Sequence, residues 1–251
     1  MRKPLIIANW KMNKTISETE QYAQEFLQLK KNTERIDLVI CPPFTGLAKL
    51  RAVCKEQINL GGQNMFWENS GAYTGEISAD MLLSCGCRYV IVGHSERRRL
   101  FNESNSIVNR KMKIALEKRL IPVLCVGETL QERENKLAYD IVSEQLREGL
   151  AGLEPPGHSW AVAYEPVWAI GTGENAYPDD AQVMAAFIRA ELGTFNKSLP
   201  SYTRILYGGS VTENNAAAFF AQADIDGALI GGASLNAETF ANIAGKYKTD
   251  D

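Results

Sequence analysis

The sequence predicts a (β/α)8 barrel of eight parallel strands surrounded by helices. Eight short apolar runs recur along the 251 residues, amphipathic segments separate them, and no linker rich in Gly, Ser or Pro interrupts the series. Each strand and helix pair takes roughly 31 residues, so that eight pairs use the whole chain. We therefore expect residues 1–251 to form a single barrel domain.

The apolar runs do not alternate with polar residues. This pattern is typical of parallel strands that are covered on both faces. The eight predicted strands are LIIAN from Leu5, DLVIC from Asp37, INLGGQ from Ile58, YVIVG from Tyr89, IPVLCVG from Ile121, WAVAY from Trp160, RILYGG from Arg204 and GALIGG from Gly227.

Helix signals lie between these runs. SETE at 17–20 and TLQE at 129–132 have the capping-box pattern, and a third helix follows Pro178. In that third segment Met184, Phe187, Ile188 and Leu192 fall on one face. A doubly wound open sheet is the main alternative, although Trp10-Lys11-Met12-Asn13 stands where a G-x-G-x-x-G turn would follow the first strand.

The composition argues against several classes of protein. The net charge of −3 indicates no basic surface for binding nucleic acid. The longest run of like charge is the three arginines at 97–99, and one interpretation is that they form a solvated basic cluster. No apolar segment approaches the ~18 residues of a membrane span, and the run at Leu5 is too short for a signal sequence. The five cysteines lack zinc-site spacing, so we expect reduced, mostly buried thiols, no metal and a cytoplasmic location.

Polar residues and glycines collect where the predicted strands end. In a barrel of this class the functional residues follow the carboxyl ends of the strands. Each signal is weak alone, because a carboxylate before proline or a Gly-Gly turn is usually an ordinary surface feature. Together they predict one acid, one imidazole, one ammonium and a backbone cradle for an anion. The residues are Asn9, Lys11, His94, Ser95, Glu96, Glu165, Gly208, Gly209, Ser210, Gly231 and Gly232.

The other histidine, His158, precedes the sixth predicted strand. It is therefore expected at the opposite rim, as a structural or exposed residue. With a single histidine at the rim, acid–base chemistry without a metal is favoured.

Six motifs in order along the chain resemble triosephosphate isomerase, a family with the (β/α)8 TIM barrel fold. They are NWKMN (9–13), AYTGEIS (72–78), VGHSERR (92–98), CVGE (125–128), AYEPVWAIGTG (163–173) and YGGSV (207–211). The likeness extends over the whole chain, and YEPVWAIGTG is very specific.

The resemblance implies interconversion of dihydroxyacetone phosphate and D-glyceraldehyde 3-phosphate through an enediolate, in glycolysis and gluconeogenesis. Glu165 would be the base, and His94, Lys11 and Asn9 would stabilise the developing oxyanion, with Ser95 and Glu96 supporting them. The substrate would be bound by Asn9, Lys11, Gly171, Ser210, Gly231 and Gly232. Among these, Lys11 would attract the phosphate, and Gly171, Ser210, Gly231 and Gly232 would hold it. No organic cofactor is required. Since His94 precedes a predicted helix start, whose dipole disfavours a cation, we expect its ring to be neutral.

The resemblance also implies a lid over residues 166–176. Pro166, Val167 and Trp168 would form one hinge, Gly171 and Gly173 the tip, and Ala176 the end of the second hinge. That second hinge is commonly Lys-Thr-Ala in the family but is Glu174-Asn175-Ala176 here. We expect this departure to have a modest kinetic effect.

A homodimer is the expected assembly. The third strand is followed by a long connection at 63–78 that carries Met65, Phe66 and Trp67, which would be costly to expose on a monomer. The family resemblance makes this connection an arm, which includes Tyr73 and Thr74 and inserts beside the active site of a neighbouring subunit. Thr74 would lie near Asn9 and Lys11 of that subunit. Glu96, Arg97 and Glu103 are expected to support the site and the interface.

Two other functions remain open at this point. One is a phosphate-ligand binding protein without turnover, and the other is a different aldose–ketose isomerase or an aldolase on the same fold. An aldolase would need a Schiff-base lysine late in a strand, and none of the eight runs has an interior lysine.

Overall fold

The eight strands close into a barrel in which every strand is parallel to both neighbours, in the order β1 to β8. The computed structural model describes residues 2–30, 33–153, 160–169 and 176–247. The strands are β1 (Leu5–Asn9), β2 (Asp37–Cys41), β3 (Asn59–Gly62), β4 (Cys87–Val92), β5 (Ile121–Val126), β6 (Ala161–Tyr164), β7 (Arg204–Tyr207) and β8 (Gly227–Ile230). Because β1 pairs with β8, the open-sheet alternative is wrong.

Helices surround the barrel. They are α1 (Ile16–Leu29), α2 (Leu47–Cys54), α3 (Ala79–Ser84), α4 (Ser95–Phe101), α5 (Asn105–Glu117), α6 (Leu130–Glu134), α7 (Ala138–Gly149), α8 (Pro178–Phe195), α9 (Leu199–Tyr202), α10 (Ala216–Phe220) and α11 (Ala237–Ala244). Short 3₁₀ helices span Phe44–Gly46, Val167–Ala169 and Gly232–Leu235. Within the described ranges, no helix is both long and apolar enough to cross a membrane.

All eight predicted strands are confirmed, and most boundaries agree within two residues. The predicted cap of α1 at Ser17 is wrong, because the N-cap is Thr15, two residues earlier. Thr15 accepts the N–H of Glu18, and the Glu18 carboxylate accepts the N–H of Thr15 in return. The capping box predicted at Thr129 and Glu132 is confirmed at the start of α6.

The core has two layers, which explains why the strands carry no polar alternation. Alternate strand residues, including Leu5, Ile7 and Val123, fill the barrel interior. The residues between them pack outward against the helices, where α8 contributes Met184, Ile188 and Leu192. All five cysteines are free, and Cys85 alone among them is partly exposed.

The barrel has one sparse seam, between β7 and β8. These strands are in register at Tyr207 and Ala228 alone, whereas every other neighbouring pair matches at two or more positions. Near the amino-terminal ends of the two strands, the N–H of Asp226 donates to the carbonyl of Ile205 at 2.7 Å, and the Asp226 carboxylate accepts the N–H of Ile205 at 2.8 Å. A side chain thus replaces part of the missing ladder.

Candidate active site

The carboxyl ends of the strands surround a cavity of about 300 Å³. It brings together the predicted residues of five separate strand exits, as expected for the functional rim of such a barrel. Its polar and charged side chains include Asn9, Lys11, His94 and Glu165, and the loops after β7 and β8, namely 208–212 and 231–233, form a glycine-rich part of the lining.

Glu165 lies immediately after β6 and is buried, with 2% of its surface exposed. Its backbone N–H donates to the carbonyl of Val126 at 2.8 Å, which extends the β5–β6 pairing by one residue. The carboxylate Oε2 accepts the backbone N–H of Ser95 at 2.9 Å, and Oε1 lies 2.9 Å from Nε2 of His94. Burial raises the pKa of Glu165, but His94 and the Ser95 N–H outweigh it, so the pKa lies below its usual value.

His94 is the N-cap of α4, because its Nδ1 accepts the backbone N–H of Glu96 at 3.2 Å. A nitrogen that accepts a hydrogen bond carries no proton, which leaves Nε2 to carry it toward the cavity. Burial lowers the pKa of His94, yet the carboxylates of Glu165 and Glu96 together outweigh it, so the net direction is upward. The helix start alone suggested the opposite direction. The hydrogen bond that Nδ1 accepts supports the neutral ring expected from the sequence. The nearby Glu165 carboxylate has the opposite effect, because it favours the charged imidazolium.

Lys11 has a left-handed backbone, with φ of 53°. Its N–H donates to the side chain of Asn9 at 3.2 Å, and its Nζ pairs with Glu96 at 2.7 Å. The Gln63 amide donates to the carbonyls of Lys11 (2.8 Å) and Cys41 (2.9 Å), which fixes this uncommon conformation. Sequence reasoning did not identify Gln63, although it ends the predicted third run.

The predicted anion cradle is open toward the cavity. A methyl group on Gly232 would meet no atom within 4 Å, and one on Gly231 would lie 3.3 Å from Cε of Lys11. The Ser210 hydroxyl lines the same wall and donates to the carbonyl of Ala169 at 3.0 Å. Short side chains and close backbone at this wall suit a phosphate group. Gly171 lies outside the described residues.

The family model described as triosephosphate isomerase matches residues 4–247. The chain belongs to the triosephosphate isomerase family. It is 49% identical over 246 residues to the triosephosphate isomerase of Dictyoglomus thermophilum, covering 97% of this chain and 99% of that protein. The enzyme of Moorella thermoacetica is 50% identical over 245 residues, with 97% and 98% covered. That of Aquifex aeolicus is 46% identical over 240 residues, with 95% and 97% covered.

The first hinge of the lid expected for a triosephosphate isomerase is held by Glu128. The Glu128 carboxylate is fully buried, and its Oε1 accepts the Trp168 indole N–H at 2.9 Å and the Tyr164 hydroxyl at 3.0 Å. Its backbone carbonyl accepts the N–H of Val167 at 3.1 Å. Glu128 ends the CVGE motif, but its role could not be read from the sequence.

The remainder of the expected lid is partly outside the described residues. Ala176 is buried, and Pro166 begins the segment before the 3₁₀ helix Val167–Ala169. Gly171, Gly173, Glu174 and Asn175 lie outside the described residues, as does His158.

The arm expected at a dimer interface follows β3, and its residues 68–76 are exposed. Met65 is buried at its base, so only part of the predicted apolar exposure is present. Phe66 stacks on Trp67 with ring centroids 3.9 Å apart and also contacts Tyr73. Tyr73 is 43% exposed, and Thr74 is exposed.

The arginine run is not a solvated basic cluster. Arg97 pairs with buried Glu103, which also pairs with Lys111. Arg98 donates to the carbonyl of Gly93 at 2.8 Å and to that of Cys125 at 3.3 Å, joining the exits of β4 and β5. Only Arg99 fits the solvated interpretation. Within the described ranges, no group of three His, Cys, Asp or Glu side chains is placed to hold a metal ion.

Proposed function

We propose that this chain interconverts dihydroxyacetone phosphate and D-glyceraldehyde 3-phosphate, with Glu165 as the base that moves a proton between adjacent carbons. The observation that carries the assignment is the meeting of Glu165 and His94, 2.9 Å apart, in a cavity that is also lined by the glycine-rich loops after β7 and β8. Family membership fixes the class of enzyme as an isomerase.

Removing a proton next to a carbonyl requires a base at carbon and a donor at oxygen. Glu165 serves as the base, because it is ionised and carries few water contacts in its buried position. His94 donates from Nε2 to the substrate oxygens, since its Nδ1 is already an acceptor. Asn9 and Lys11 stand beside it and stabilise the charge that develops on those oxygens.

The phosphate of the substrate lies against the loops that follow β7 and β8. Lys11 attracts it electrostatically, while Ser210, Gly231 and Gly232 approach it with a hydroxyl and backbone N–H groups. Gly171 joins these from the lid, which closes over the substrate and limits loss of phosphate from the enediolate. This arrangement uses no cofactor and no metal.

The working assembly is a homodimer in which Tyr73 and Thr74 of the arm complete the site of the partner. The cluster of half-buried Phe66 and Trp67 with exposed Tyr73 supports this assembly, because aromatic groups at a partly exposed surface are typical of protein interfaces. Residues 1–251 act as one domain. The free cysteines fit the reducing cytoplasm, where glycolysis and gluconeogenesis use this reaction.

The decisive assay follows isomerisation of glyceraldehyde 3-phosphate by coupled reduction of the dihydroxyacetone phosphate formed. The purified protein is expected to catalyse this isomerisation. A chain that binds triose phosphate without turnover would instead be a binding protein and would contradict the proposal. An aldolase is disfavoured further, because none of the eight strands contains a lysine.

A further inference from the structure

We propose that Gln145 is a positioning residue for Glu165 and acts through the backbone of Gly127. The inference rests on the proposed function of Glu165 as the base. Gln145 lies on α7, outside the barrel, and does not line the cavity that holds Asn9, Lys11, His94 and Glu165.

The side-chain amide of Gln145 grips Gly127 at both of its backbone groups. Oε1 accepts the N–H of Gly127 at 2.7 Å, and Nε2 donates to the carbonyl of Gly127 at 3.1 Å. Gly127 is the first residue after β5, where the register with β6 ends at Val126 and Tyr164. Gln145 therefore supplies at Gly127 the two hydrogen bonds that a neighbouring strand supplies inside the ladder.

Gly127 lies directly against the backbone of Glu165. A methyl group on Gly127 would come 1.8 Å from the carbonyl oxygen of Glu165 and 2.6 Å from its carbonyl carbon. No side chain fits in that space, so a displacement of Gly127 toward β6 displaces Glu165 as well. On the other side, a methyl group on Gly208 would come 2.9 Å from Cγ of Glu165. The base is thus held between two glycine backbones.

The segment 126–128 works as a template for the segment 165–167. The N–H of Glu165 donates to the carbonyl of Val126 at 2.8 Å, and the N–H of Val167 donates to that of Glu128 at 3.1 Å. Gly127 is the middle residue of this template, and Gln145 holds it from outside. The carboxylate can reach the substrate carbon only from the backbone position that this template sets.

A second cavity, of about 280 Å³, also borders Glu165. It gives a reason why the hydrogen bonds from Gln145 to Gly127 are needed. Its lining includes Gln145, Gly127, Cys125, Val167 and Glu165. The template therefore has free space on its outer side and can move if the amide is removed. A misplacement of a catalytic group by about 1 Å is sufficient to lower a rate by roughly 10²-fold.

The test compares Gln145→Leu with the wild-type dimer in the coupled isomerase assay. We expect kcat to fall by about 10- to 100-fold, with KM unchanged within about twofold, because the phosphate wall belongs to β7 and β8. Competitive inhibition by inorganic phosphate is expected to stay at the wild-type level for the same reason.

The matched control is Asn109→Leu on α5. The Asn109 amide also holds loop backbone, donating to the carbonyls of Gly149 (3.1 Å) and Ala151 (3.0 Å), but it lies away from the cavity. We expect a similar loss in the unfolding midpoint for both variants and a loss of kcat for Gln145→Leu alone. Gln145→Glu keeps an acceptor for the Gly127 N–H, so its kcat is expected to lie between those of Gln145→Leu and the wild type.

Three results would overturn the inference: a wild-type kcat in Gln145→Leu, an equal loss in Asn109→Leu, or a loss confined to KM. If neither Gln145 variant unfolds cooperatively, the residue is structural and the inference also fails. A wild-type chain without isomerase activity would instead refute the proposed function, so the two failures are distinguishable.

Discussion

The imidazole of His94 and the carboxylate of Glu165 are in direct contact at the edge of the cavity, with Nε2 2.9 Å from Oε1. They follow β4 and β6, two strands that are not neighbours in the barrel. The contact lowers the pKa of the acid and raises that of the imidazole, since each charged form is favoured by the other.

Glu165→Gln removes the base and keeps the shape of the side chain. We expect kcat to fall by roughly 10²- to 10⁴-fold in the coupled assay, because an amide cannot take the proton. KM should change little, as the phosphate wall is untouched. The control is Glu148→Gln, an exposed acid at the far end of α7, which should keep full activity. Equal activity in the two variants would contradict the assignment of Glu165.

The same substitution should lower the pKa of His94. With the carboxylate gone, burial dominates and disfavours the imidazolium, so the charged form appears only at lower pH than in the wild type. A ¹⁵N NMR titration of both proteins measures this shift directly. The neutral ring predicted from the sequence requires an uncharged signal at pH 7. A pKa that stays constant or rises in Glu165→Gln would show that the carboxylate does not control the ring.

Asp37 is the first residue of β2 and lies at the end of the barrel where the strands begin. We expect it to make the free energy of unfolding depend on pH in the acid range. Burial raises its pKa, but Lys3 and Arg204, each 2.7 Å away, outweigh it, so the pKa lies below the usual 3.8. Because the folded pKa is the lower one, the stabilisation is present above the unfolded pKa and is lost as pH falls through the folded pKa.

Asp37→Asn is therefore expected to lower the free energy of unfolding by about 1–3 kcal/mol at pH 7. The difference from wild type should shrink as the pH falls below about 4, in denaturant titrations at fixed protein concentration. A difference that is constant from pH 7 to pH 3 would exclude this linkage.

Thr74→Arg tests the arm. A charged, longer side chain at an exposed position that is proposed to contact a partner should shift the protein toward monomer and reduce activity in parallel. Sedimentation at micromolar concentration, combined with the coupled assay, measures both. Thr194→Arg, at an exposed position near the end of α8, is the control and should remain dimeric. A wild-type chain that is monomeric and active would defeat the dimer proposal.

Glu174→Lys tests the departure in the second hinge of the lid. It restores the cation that the family commonly has there, and we expect kcat/KM to change by less than about tenfold, or roughly 1.4 kcal/mol. Glu117→Lys, an exposed change of the same charge at the end of α5, separates the local effect from that of net charge. A larger change for Glu174→Lys alone would mean that the hinge limits turnover.

The sequence predicts the strands well, because a strand covered on both faces, such as DLVIC, must be apolar throughout. It also predicts Glu165, His94 and Lys11, since a barrel places every residue that follows a strand at one rim. It misplaces the cap of α1, where Thr15 and Ser17 both have suitable side chains and only the backbone geometry decides between them.

The side chains that hold the site from outside could not be predicted. Gln63, Glu128 and Gln145 each hold a loop that is distant in sequence, and an amide or acid in such a position has no local pattern. The arginine run shows the same limit, because Arg98 is an internal support that the sequence cannot distinguish from a surface charge.

The sparse seam between β7 and β8 lies directly beneath the wall that is proposed to receive the phosphate. Gly208 to Ser210 continue one strand of the seam, and Gly231 and Gly232 continue the other. A bound anion that contacts both loops would add a link between two strands that are in register at only one position. Occupancy of the site would then slow the separation of these strands, so that amide hydrogen exchange along β8 reports on substrate.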